Sequence, residues 1–238
     1  MTDTTYGDSN IQGTSARAIN LCIGAGALLL GPGLVLVGWV SSYFLLTHPG
    51  WLTAPSISEY YYFNELTRNG FVGTMCAVGL LMSAYRGWHQ RNLWDRVIAV
   101  WSLIFAWLVG LVPCNSALSV VHFSAAGLLF GLMAAMLWFR FTDFTRDAAE
   151  DRDRAWKEVR NRIYKSCACV IIAAIGVKAL SMTGLVGLDT ISSGNLTFWV
   201  EVTGLSAFSF GWLTKSRYIL GYQATDGWFS RSWRTAAN

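Results

Sequence analysis

Apolar positions along the chain gather into runs of about 20 residues almost free of charge, separated by polar intervals. That is the length an α-helix needs to cross roughly 30 Å of hydrocarbon. Six such runs are predicted as spanning helices, over residues 18–46, 70–85, 97–112, 117–139, 166–188 and 196–213. The fold class expected is therefore all-α, a polytopic membrane bundle of six transmembrane helices. Residues 1–16 read as a polar tail, 17–215 as the transmembrane domain and 216–238 as a cytoplasmic tail. The WFSRSWR cluster in that last stretch suits an interfacial anchor.

Several local signals refine the pattern. Gly31-Pro32-Gly33 lies midway along the first run, where a proline removes a backbone donor and predicts a kink or break. The interval 48–70 carries Trp51 and Tyr60, Tyr61 and Tyr62, residues that favour the headgroup level. The second span looks short unless it begins inside that interval. The tight Pro113-Cys114-Asn115-Ser116 turn makes the third and fourth spans antiparallel neighbours. On the fourth, Gly127, Gly131 and Ala135 form a small-residue stripe that would let another helix approach closely. The sequon at Asn195-Leu196-Thr197 lies at the mouth of a span and is expected to be silent.

Composition supports a membrane class, with 53% hydrophobic residues, 13% charged residues and a mean hydropathy of +0.39. Charge then gives orientation. Eight of the 18 Lys and Arg lie in the interval 140–165, and with both termini and the interval between the second and third spans the same side collects 16. Opposite stands only Arg68, with Lys178 inside a span. The asymmetry predicts that both termini are cytoplasmic, in a plasma or inner membrane. Acid-first pairs such as Glu158 and Arg162 predict that 140–165 is a solvated helical loop. The net charge of +4 is explained by anionic lipid headgroups beside the spans, not by nucleic acid. The five cysteines fall in or beside apolar runs and imply no disulfide framework.

Ionisable residues within a bilayer are costly, so each is a candidate for function. Three qualify: Lys178 on the fifth span, Glu201 on the sixth and His122 on the fourth. Thr197, Glu201, Gly204, Phe208 and Gly211 fall on one helical face, which is expected to point into the bundle. Lys178 and Glu201 are expected to form a buried ion pair. The functional expectation is an outward-facing polar cavity that binds ligand through Ser58, Glu59, His122, Lys178 and Glu201. His122 and Glu201 would be its catalytic candidates. A hydrolytic metal set drawn from His48, His122, Glu59 and Glu201 lacks any HxxxH or HExxH spacing. Ser58 lacks a G-x-S-x-G elbow. Neither a metal nor an organic cofactor is expected.

The order of a first span, an outer loop carrying Pro55-Ser56-Ile57-Ser58-Glu59 and a second span soon afterwards resembles the DRAM/Frag-type six-span membrane proteins. It also resembles bacterial polytopic families of unknown function. The resemblance implies lipid handling or membrane trafficking. In that family the acid after the serine is usually Asp, where this chain has Glu59, and the Tyr60–Tyr62 run is not part of its pattern. The function expected is a lipid-binding or accessory subunit, whose partners would be membrane lipids, other membrane subunits or further copies of the chain. The alternatives are a lipid-modifying enzyme using Glu201 and His122, and a small transporter.

Overall fold

A computed structural model describes residues 5–45, 54–85, 93–142, 154–183 and 195–216. The described residues form helices and turns, with no strand among them. In order these are α1 (Thr5–Leu45), the single turn α2 (Tyr60–Phe63), α3 (Glu65–Ala84), α4 (Leu93–Leu111), α5 (Ser119–Ala135), α6 (Arg154–Met182) and α7 (Leu196–Lys215). Among the described residues, four helical stretches are long and apolar enough to cross a membrane: Arg17–Tyr43, Leu93–Leu111, Ser119–Arg140 and Lys157–Met182. The six long helices pack in chain order around a ring, each on the next, and α7 closes it against α1. Short connections and unbroken backbone hydrogen bonding make sequential antiparallel packing the simplest way to bury one face of each helix.

The inward faces supply a continuous core that includes Ile23, Leu30, Phe71, Met82, Leu129 and Phe208. Outward faces stay apolar, with Leu29, Leu36, Val120, Leu128, Ile172 and Trp199 exposed. A soluble protein would cover or avoid so much exposed apolar surface; hydrocarbon accepts it.

The first helix runs through Pro32 without a break and reaches back to Thr5, inside the polar N-terminal segment. Pro32 is exposed on the outer face. Gly31 is buried, and a Cβ there would lie 3.2 Å from Val202 Cγ2 and 3.5 Å from Ile57 Cδ1. The glycine therefore serves a close approach of α7 and the 54–58 loop, whereas the proline faces away from the packing.

Helix α3 starts at Glu65, upstream of the apolar run, because Asn64 caps it. The Asn64 side chain accepts from Thr67 N at 2.8 Å, and Thr67 Oγ1 accepts from Asn64 N at 3.2 Å. This reciprocal box satisfies two end amides that the sequence alone left open.

Two expectations about packing are corrected. The Gly127 and Gly131 stripe has no atom of the protein within 4 Å of a Cβ built there. The close approach is made in the opposite sense: Gly204 and Gly211 of α7 receive Phe130 of α5 and Leu137 of the turn that continues it, which would lie 2.6 Å and 2.5 Å from the missing Cβ atoms. The 140–165 interval is not simply solvated. Residues 143–153 lie outside the described set, but Lys157, Arg160 and Asn161 are buried. Lys157 Nζ donates to Phe141 O at 3.2 Å and Asn161 Nδ2 to Thr142 O at 3.3 Å. Those carbonyls follow a π-helical turn, Met136–Arg140, in which Phe141 N reaches Met136 O at 3.1 Å. The wider turn carries Arg140 onto Asp95 at the start of α4, and Asp95 is 2% exposed.

Candidate functional site

At the opposite end of the bundle from Arg140, the 54–64 segment folds inward. Ser56, Ile57, Ser58 and Tyr60 are all buried. A buried loop must find partners for its backbone, and this one takes them from the start of α7. Pro55 O accepts from Phe198 N at 2.9 Å, which supplies a partner for an otherwise orphan first-turn amide. In return Ile57 N donates to Glu201 Oε2 at 2.6 Å. The Ser58 amide also contributes to holding this carboxylate. Loop and helix are thus joined by bonds running in both directions.

The rest of the segment is fixed just as locally. Ser56 Oγ and Ser58 Oγ are 3.0 Å apart, and Ser56 Oγ also accepts from Glu59 N at 3.2 Å. Tyr60 OH accepts from Ala54 N at 3.4 Å, while Thr67 Oγ1 donates to Tyr60 O at 2.8 Å. Tyr62 OH accepts from Asn115 N at 3.0 Å, joining the segment to the α4–α5 turn. Asn64 Nδ2 donates to Ser41 Oγ at 2.7 Å, which secures it to α1. Burial pushes the Glu59 carboxyl above its ordinary value, and the Tyr60 hydroxyl likewise, with the bond to Ala54 opposing the second shift.

Beneath this plug lies a cavity of about 40 Å³ bounded by α1, α3, α4, α5 and α7. Ser58, His122 and Glu201 all line it. Their neighbours are apolar and descend into the bundle, among them Phe71, Leu129, Phe130 and Met133. His122 is 2% exposed, and its Nδ1 lies 2.7 Å from Val112 O. A carbonyl can only accept, so Nδ1 carries the proton and Nε2 is left as the acceptor of the neutral ring. Cys114, buried in the α4–α5 turn, contacts the Ser58 hydroxyl; burial pushes its thiol up, partly offset by that hydrogen bond.

Three of the five residues expected at the site are therefore gathered, and two stand apart. Glu59 is half-buried on the plug. Lys178 donates to Thr197 Oγ1 at 2.7 Å, one turn before Glu201, and makes no ion pair with Glu201 among the described residues. The backbone amide of Ile57 has the place on the carboxylate expected for Lys178. The two charges still act on one another through space. His48 lies outside the described residues. No family model, curated protein or solved structure matches the chain.

Sequence reasoning missed Thr197 as the lysine's partner and Asp95–Arg140 as a buried ion pair. The first had a signal, since Thr197 and Glu201 share a helical face. The second did not, because both residues lie at span ends where charge is ordinarily solvated.

Proposed function

We propose that the chain is a six-span integral membrane protein with cytoplasmic termini that binds a membrane lipid in the cavity beneath its outer plug. Helices α3 and α7, of 20 residues each, complete the ring and would be the two further spans. The observation that carries the reading is the lining of the cavity: apolar walls with Ser58, His122 and Glu201 converging on one end. Pockets for amphipathic ligands are built this way, with many apolar contacts and a few polar groups that fix orientation. The stretch that resembles the DRAM/Frag-type loop, Pro55–Glu59, is the one that closes the cavity, in keeping with lipid handling.

Hydrolysis by the same residues is the second reading, favoured by the free Nε2 of His122 beside Ser58. Against it, no nucleophile is coupled to a base among the described residues: Ser58 Oγ faces Ser56, and His122 is oriented by a carbonyl. The deciding experiment is mass spectrometry of the purified protein before and after incubation with phospholipids and sphingolipids. Binding predicts a co-purifying lipid that is lost from Glu201→Ala, with no product formed. A product whose formation requires His122 would establish the enzymatic reading instead.

A further inference from the structure

The cavity's polar end is rich in acceptors and poor in donors. Glu201 presents a carboxylate held by the backbone amides of Ile57 and Ser58, two donors for about four lone-pair sites. His122 presents Nε2, since its proton is committed to Val112. The Ser58 hydroxyl, shared with Ser56, adds a third acceptor. Among the described residues no Lys or Arg lines the cavity. Lys178, whose charge acts on Glu201, is bonded to Thr197, and two carboxylates, Glu201 and Glu59, act in the same neighbourhood. An anionic headgroup would meet a carboxylate with no lining cation to offset it, at high cost in a low dielectric. A hydroxyl headgroup supplies one donor where three acceptors converge.

We infer that the cavity takes the primary ammonium head of a single-chain lipid amine. An ammonium offers three N–H donors and no acceptor, matching Glu201, His122 and Ser58 in number and sign. Its charge also neutralises the carboxylate in place. The volume of about 40 Å³ accommodates about three water-sized groups, the scale of an ammonium and its first carbons.

This rests on the lipid-binding reading, and the test separates the two. Protein in phosphatidylcholine nanodiscs, free of amine lipids, is titrated with octylamine, octanol and octanoate, which share a chain and differ in head. The readouts are the His122 ring signals in side-chain NMR, assigned by their loss in His122→Gln, and thermal stability. Octylamine is expected to shift the His122 signals saturably and raise the melting temperature, while octanol and octanoate do neither. Glu201→Gln, which keeps an acceptor but removes the charge, should weaken octylamine by about tenfold or more, as loss of a charge-assisted bond does. Should that variant fail to fold, Ser58→Ala should still weaken octylamine severalfold without affecting the inert probes. Octanol or octanoate binding as well as octylamine would overturn the ammonium assignment. If no probe binds but another lipid co-purifies, the headgroup is wrong and lipid binding stands. If no probe binds and nothing co-purifies, both fail.

Discussion

Glu201 Oε2 accepts the backbone N–H of Ile57 at 2.6 Å, across 144 residues of sequence. This bond joins the last helix of the ring to the inward-folded loop, and the cavity lies beneath it. With the Phe198 to Pro55 bond it fixes the plug at two points on α7. Glu201→Ala should leave the Ile57 amide buried without a partner. The expected loss is about 1–3 kcal/mol, the cost of an unsatisfied buried donor. Thermal unfolding in detergent measures it, and faster hydrogen exchange at residues 56–60 should accompany it.

Lys178 belongs with Thr197. A double-mutant cycle between Lys178→Met and Thr197→Val should show a coupling of about 0.5–3 kcal/mol, as contacting residues do. Strict additivity would place the lysine elsewhere.

The glycines of α7 and α5 should respond oppositely to alanine. At Gly204 and Gly211 the new methyl meets Phe130 and the fully buried Leu137, so each change should cost about 1–3 kcal/mol through overpacking. At Gly127 and Gly131 the space is open, and alanine should be tolerated. Melting temperatures of the four variants in detergent compare them directly.

At the other end, Asp95 is held by Arg140 in a nearly dry setting. Asp95→Asn should destabilise by about 3–5 kcal/mol, because it strands a guanidinium. Asp95→Asn with Arg140→Gln should recover part of that loss. Two independent losses that simply add would show that the pair does not act as a unit.

Burial raises the Glu59 carboxyl above its ordinary value of 4.5. A raised acid binds its proton more tightly when folded, so this group's contribution falls as pH climbs from about 4.5 through the folded value. Glu59→Gln should therefore stabilise the protein at neutral pH and make little difference at pH 4. Melting temperature against pH, for both proteins, checks the sign.

The proposed topology predicts that a cysteine replacing Ala155 in a cysteine-free background is labelled only from the cytoplasmic face. Labelling from outside intact cells would invert the bundle.

The sequence by itself determined the class. Long uncharged runs can lie only in hydrocarbon or a large core, and their repetition predicts an all-helical membrane bundle, of which four stretches have the length and apolarity to span. It also singled out His122 and Glu201, because polar groups in apolar surroundings are conspicuous along a chain, and Ser58 as part of the polar outer loop. Only the tertiary structure decided what each one touches. Hydropathy does not record backbone donors, so nothing in the sequence revealed that Ile57 N–H, and not Lys178, would hold Glu201. Helix starts set by a side-chain cap, as at Asn64, shift a span's boundary without changing its apolar run. Small-residue spacing is equally present on α5 and α7, but only α7 meets large side chains there, because packing depends on the facing helix. The buried Asp95–Arg140 pair follows a single π-turn that places one residue on the neighbouring helix, a local backbone choice that no periodicity encodes.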